Sequence, residues 1–153
     1  MSTQAQAGST DLPAQARAEA AVAALFARDR AAQALGMRIA AVSPGAARVT
    51  MRVRPDMLNG HGTCHGGLIF ALADTAFAFA CNSHNARTVA AAASIDFLAA
   101  AGEGDELSAE ARELWRTQRN GIYEITVCNQ DGARIALFRG RSHRIDGQVV
   151  GTE

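Results

Sequence analysis

Six stretches of the chain have the character of β-strands, and the clearest is ARVTMRVRP at residues 47–55. There Val49, Met51 and Val53 fall on one side, and the polar residues between them fall on the other. A period of two is typical of a strand with one buried and one solvated face. The six predicted strands cover residues 37–45, 47–55, 88–100, 105–117, 121–130 and 133–145.

Two helices are predicted, and they differ in character. Residues 10–36 contain helix start signals at Thr10 or Asp11 and a stop at Gly36, with a modest apolar stripe between them. Residues 66–81 are apolar on every side except at Asp74. A helix without a polar face must be surrounded by other elements.

The order of these elements indicates the fold class. Two strands precede the apolar helix and four follow it, so helices do not alternate with strands. Short connections, including an Asp131-Gly132 hairpin signal, favour an antiparallel meander of the last four strands. We therefore expect an α+β fold in which a curved antiparallel sheet of five to six strands wraps one long central helix, with an extra N-terminal helix.

Length and charge describe an ordinary globular chain. Its 153 residues suit one domain, which we place at residues 12–150 after a flexible tail at 1–11. Fifteen basic residues balance fifteen acidic ones, which excludes the basic surface of a nucleic-acid binder. A net charge of zero gives little protection against self-association, so it favours an oligomer.

Cysteines and apolar runs suggest a cellular location. The three cysteines lack the spacing of a disulfide framework, and no signal peptide or membrane-spanning run is visible, so we expect a cytoplasmic protein without membrane contact. His61, Cys64 and His65 lie close together, but no second cluster completes four ligands, so no metal site is expected.

The start of the apolar helix is the first candidate site. Gly66 and Gly67 leave room around the unpaired first-turn N–H groups, which suit an anion or a developing oxyanion. Asp74 lies eight residues later, about 12 Å along the axis, too far for both to act on one group. Two copies packed antiparallel about a two-fold axis would bring each Asp74 to the other copy's Gly66.

Structural explanations remain open for these residues. The glycines can simply admit the chain to a crowded helix, and Asp74 can be a buried carboxylate satisfied by its neighbours. Asn59 can orient water or a carbonyl, or Asn59-Gly60 can be a turn. His65 can cap the helix or steady the loop.

The segment NGHGTCHGGLIFALADTAFAFACNS at residues 59–83 resembles the phenylacetate-degradation group of the hotdog-fold acyl-CoA thioesterases. The resemblance is carried by His65-Gly66-Gly67, six further residues and Asp74, with SIDFL and ALFRGRSHRI later in the chain. It extends over residues 15–146 and implies the hotdog fold, assembled as homodimers and homotetramers.

The resemblance also implies a reaction and roles in it. The chain would hydrolyse a coenzyme A thioester, such as phenylacetyl-CoA or hydroxyphenylacetyl-CoA, without a cofactor beyond the CoA of the substrate. Asp74 of one subunit would be base or nucleophile, and the Gly66 amide of the other would bind the oxyanion with Gly67 beside it. Asn59 would position water or substrate, and His65 would steady the loop.

Other residues and functions complete the hypotheses. A strand hydroxyl joins the site in some relatives, and only Ser94 can do so here. Arg139 and Arg141 are candidates for the CoA phosphates, with a solvated strand face as the alternative. The alternative functions are a non-catalytic acyl-CoA sensor and a hotdog hydratase or dehydratase, which would pair a catalytic His with an Asp on another motif.

Overall fold

A computed structural model describes residues 12–151. The predicted tail at residues 1–11 lies outside the described part, and the domain boundaries stay a prediction. The helices are α1 (Ala14–Arg28), α2 (Arg30–Ala34) and α3 (Gly66–Asn82). The strands are β1 (Arg38–Ser43), β2 (Ala46–Arg52), β3 (Ala86–Phe97), β4 (Glu106–Arg116), β5 (Asn120–Cys128) and β6 (Arg134–Gln148).

The central helix lies in the concave face of one antiparallel sheet, which confirms the predicted architecture. The six strands run in the order β1-β2-β4-β5-β6-β3. Alternate residues of the inner strands point at α3, as in β5, where every second residue from Gly121 to Val127 is buried. Apolar side chains from both layers, including Leu72, Phe77 and Phe138, form one buried core.

The meander predicted for the last four strands is wrong for β3. Strands β4, β5 and β6 do follow one another, but β3 pairs with β6, where Ser94 lies opposite Arg139. The helix α3 crosses the sheet before β3 begins, so the chain emerges at the far edge, and residues 98–105 return to β4 beside β2. The return is fixed by the Leu98 amide, which donates to the Ile135 carbonyl at 2.8 Å.

The single N-terminal helix predicted at 10–36 is two helices. Asp29 leaves the helical conformation at φ −85° and ψ 84°, and its carboxylate accepts a hydrogen bond from the Ala32 amide. This side-chain cap starts α2 and ends α1, since an N-cap residue has non-helical backbone angles. An edge-to-face contact of Phe26 with Phe79, with ring centroids 6.2 Å apart, docks α1 on α3.

No helix in the described range is long and apolar enough to cross a membrane.

The far end of α3 is held by a polar cluster. The carboxylate of Glu113 on β4 accepts a hydrogen bond from the Tyr123 hydroxyl at 2.7 Å and contacts the His84 ring nitrogen at 2.8 Å. Burial alone would raise the pKa of Glu113, but these two partners hold it below its ordinary value. Ser83 accepts a hydrogen bond from the Gly45 amide beside them. The cluster fixes the helix relative to the sheet, and thus fixes the position of Asp74.

Gly140 allows α3 to approach the sheet, and its replacement tests this packing. A Cβ at Gly140 would lie 2.7 Å from ring carbons of Phe77, which is buried. We expect Gly140→Ala to lower the free energy of unfolding by about 1–3 kcal/mol through overpacking. Gly60→Ala is the matched control, because a Cβ there meets nothing within 4 Å. Denaturant unfolding of both variants measures the difference, and equal stabilities would contradict the close packing.

Candidate active site

The loop before α3 is organised by Asn59. Its side-chain oxygen accepts hydrogen bonds from the backbone amides of His61 (2.9 Å) and Thr63 (3.2 Å), and its side-chain nitrogen donates to the Thr63 hydroxyl. Both polar ends of Asn59 therefore hold the loop in the free chain. The structure supports the turn-forming interpretation, and a direct role with water or substrate stays a prediction.

The first turn of α3 leaves one amide without an acceptor. The Nδ1 atom of His65 accepts a hydrogen bond from the Gly67 N–H at 3.0 Å, which confirms that His65 can cap the helix. The Gly66 N–H has no acceptor among residues 12–151. Of the two predicted oxyanion amides, Gly66 is available to an external oxygen, while the Gly67 amide is already engaged by His65.

A phenylalanine covers the same turn. The ring of Phe97, at the end of β3, lies so close that a Cβ on Gly66 would be 3.1 Å from it. The missing side chain at Gly66 thus provides the space that the ring occupies above the helix start. Phe97 is itself about half exposed.

Asp74 lies on one side of α3, in a cleft formed by α3, α1 and β3. The cleft has a volume of about 390 Å³. Within residues 12–151 the carboxylate has neither a hydrogen bond nor an ion pair. Burial raises the pKa of Asp74, and the negative charge of Asp29, which also lines the cleft, raises it further. The structural alternative of a satisfied carboxylate is therefore not supported within the chain.

The two predicted centres are separate within one chain. Gly66 and Asp74 are eight residues apart on the same helix, which corresponds to about 12 Å of axial rise. A group that acts on a substrate atom must lie about 3 Å from it. One chain alone does not bring the free amide and the free carboxylate to one reacting carbonyl.

Other predicted residues lie on the convex face of the sheet. Along β6, buried Phe138, Gly140 and Ser142 alternate with exposed Arg139 and Arg141. The exposed arginines therefore point away from α3. Ser94 is paired with Arg139 across β3 and β6, so it shares that outer face. In one chain, Arg139, Arg141 and Ser94 do not line the cleft that holds Asp74, and their proposed roles stay predictions.

Sequence reasoning missed three residues near Asp74. Leu25, Arg28 and Asp29 of the N-terminal segment line the cleft around Asp74. These residues are far from Asp74 in the sequence, so no periodic pattern predicts the contact. The one local signal is Asp29 itself, an acidic residue in an alanine-rich stretch, which indicates a break in the helix.

In the described range, no three His, Cys, Asp or Glu side chains come together as a possible metal site, and His61, Cys64 and His65 form none.

Comparisons with known proteins identify the family of the chain. The thioesterase superfamily model matches residues 61–136. The acyl-coenzyme A thioesterase PaaI of Escherichia coli (strain K12) is 48% identical over 128 residues, which are 84% of this chain and 91% of that protein. A putative esterase of Archaeoglobus fulgidus is 38% identical over 80% of this chain and 79% of its own length.

Solved structures extend the likeness to the fold. The E. coli PaaI protein, from the phenylacetic acid degradation operon, superposes with a TM-score of 0.88 at 46% identity, over 89% of this chain and 99% of that one. A Streptococcus mutans protein bound to acetyl-CoA superposes with a TM-score of 0.71 at 25% identity, over 73% and 90% of the two chains. With its hotdog architecture and these relatives, the chain belongs to the thioesterase superfamily of thioester hydrolases.

Proposed function

We propose that this chain hydrolyses acyl-coenzyme A thioesters at a site made by Asp74 of one subunit and the Gly66 amide of another. The observation that carries the proposal is the pair of unsatisfied groups on α3: a half-buried carboxylate without a partner and a first-turn N–H without an acceptor. The N–H can donate to the carbonyl oxygen of a thioester, and the carboxylate, whose pKa is raised by burial, can attack that carbonyl or accept a proton from water.

The edge strand β3 supports a dimer. It ends the sheet, and its alanine-rich middle, residues 90–93, is exposed on both faces. Phe97 and Leu98 at its end are 53% and 51% exposed. An uncovered apolar edge strand is a ready template for pairing with another chain. We infer that two β3 strands pair about a two-fold axis, which brings two α3 helices together; further assembly into a homotetramer stays a prediction.

The reaction needs few groups because a thiolate leaves readily. Asp74 attacks the thioester carbonyl directly, or it removes a proton from the water that attacks. In both routes the carbonyl oxygen becomes negative, and the Gly66 N–H at the positive end of α3 stabilises it. The C–S bond then breaks and the leaving thiolate takes a proton. After direct attack the acyl group is held as a mixed anhydride with Asp74, which a water molecule hydrolyses; after attack by water the acid forms at once. On either route one thioester and one water give a carboxylic acid and the CoA thiol. His65 contributes indirectly, because its cap on Gly67 orients the turn.

The acyl group is proposed from relatives. The E. coli protein in the phenylacetic acid degradation operon supports phenylacetyl-CoA or hydroxyphenylacetyl-CoA as the substrate here. The acetyl-CoA bound to the S. mutans protein supports a CoA ester in general. Among the alternatives, a non-catalytic sensor has no need of an unpaired, half-buried carboxylate, so we favour hydrolysis.

Replacement of Asp74 by Asn tests the proposal through two opposite effects. We expect Asp74→Asn to lower kcat by at least about 10²-fold, because the amide cannot accept the proton or attack. The same change should raise the free energy of unfolding at neutral pH by about 1 kcal/mol, since no ionised group is then desolvated. Thiol release from phenylacetyl-CoA and denaturant unfolding measure the two. Wild-type turnover by the folded variant would remove Asp74 from the mechanism.

The charge of Asp29 provides a pH test. Asp74 must be ionised to act, so the rate rises with pH through its pKa, and a raised pKa moves this acid limb to higher pH. Asp29→Asn removes the repulsion and keeps the cap on α2, because Asn is also a good N-cap. We expect the acid limb of kcat/KM to move to lower pH. Asp131→Asn, an exposed carboxylate outside the cleft, is the control, and an unmoved limb in Asp29→Asn would contradict the coupling.

A further inference from the structure

The cleft that holds Asp74 is suited to the acyl part of the substrate rather than to its nucleotide. Phe77, Ala78 and Val89 give it apolar walls, and Arg28, the one basic residue among the described residues of its lining, is exposed. The CoA nucleotide carries several phosphates, which need several basic side chains or water. At about 390 Å³ the cleft is too small for an entire CoA ester, but it exceeds the roughly 150 Å³ that accommodates a benzene ring.

The polar side chains at the end of the cleft are already satisfied. The Asn82 side chain donates to the carbonyls of Thr88 and Ala78 and accepts from the Thr88 amide. The Thr88 hydroxyl donates to the Ala86 carbonyl. Neither side chain depends on a substrate for hydrogen bonds, so this end of the cleft is matched to an apolar group.

Leu25 on α1 is one of five described residues that line both this cleft and a second cavity; the others are Arg28, Asn82, Thr88 and Val89. The second cavity, of about 860 Å³, is also bounded by Leu25, and it extends along Arg87 and Gln148 at the ends of β3 and β6. Leu25 packs partly buried against the core. The helix that carries it is docked by the Phe26–Phe79 contact and by buried Ala18, Ala21 and Val22. Leu25 is therefore held as a fixed wall.

We propose that Leu25 determines acyl-group size by closing the far end of the cleft that begins at Asp74. The inference rests on the proposed thioesterase function, and it adds a specificity-determining residue that no motif around α3 contains. A ring-sized acyl group fills the cleft up to Leu25. Shortening this side chain widens the cleft toward the second cavity, and enlarging it leaves space only for a small acyl group.

Two opposite substitutions test the proposal. Leu25→Trp should raise KM for phenylacetyl-CoA by at least about tenfold, a size that an apolar pocket contact can deliver, and should leave the shortest accepted acyl-CoA within about twofold. Leu25→Ala should shift the preference, measured as kcat/KM across straight-chain acyl-CoAs, toward longer chains. Ala23→Trp is the matched control, since Ala23 is exposed on the same helix and does not line the cleft.

The outcomes separate the two levels of the argument. A wild-type chain that hydrolyses no acyl-CoA contradicts the proposed function itself. A wild-type chain that is active, with Leu25→Trp and Leu25→Ala changing all substrates equally or none, overturns the role of Leu25 alone. Because Leu25→Ala inserts no bulk, it answers the question even where Leu25→Trp does not fold, and circular dichroism identifies that case.

Discussion

A carboxylate without a partner, on a helix that is otherwise apolar, is the constraint on which this structure depends. Burial disfavours the charge on Asp74, and among residues 12–151 it has no hydrogen bond or ion pair to offset that cost. A helix is rigid, so the free Gly66 amide at its start stays about 12 Å away. In the function proposed here, a second copy supplies one of the two groups, and the exposed edge strand β3 is the surface on which we propose that this copy binds.

In the first turn of α3, one backbone N–H is used to cap the helix and another remains without an acceptor in the described part of the chain. His65 caps the helix through Gly67, and the Gly66 N–H has no acceptor among residues 12–151. Asn59 stiffens the loop that delivers this turn, and Phe97 covers it. These groups maintain the position of one N–H before substrate arrives, which is what stabilisation of a developing oxyanion requires.

The sequence predicted α3 closely because an all-round apolar run of that length has one explanation: residues 66–81 were expected, and the helix ends at Asn82. All six strands were also predicted, because the pattern that marks a strand lies within the strand itself. The order of strands in the sheet depends on contacts between distant segments, so the position of β3 beside β6 was not predicted. The break at Asp29 depends on one side-chain cap, which an alanine-rich pattern conceals. Leu25 and Asp29 reach the cleft only when α1 docks on α3, so no sequence motif predicts this contact. The spacing of His65-Gly66-Gly67 and Asp74, by contrast, lies within one short segment and can be read directly from the sequence.

The most direct test of a site shared between chains is complementation between two inactive variants. Gly66→Pro removes the free N–H at the first helical position, where proline is tolerated, and His65, at φ −59° and ψ 129°, already has the conformation preferred before proline. The half-exposed Phe97 ring, which a Cβ at Gly66 would meet at 3.1 Å, has to move aside in this variant. Co-expressed with Asp74→Asn, it should form hybrid dimers in which one site has both groups intact. When the two inactive parents pair at random, half of the dimers are hybrids, and each hybrid has one intact site of two. We therefore expect thiol release at about one quarter of the wild-type rate. Hybrid dimers that form and stay inactive would contradict the shared site.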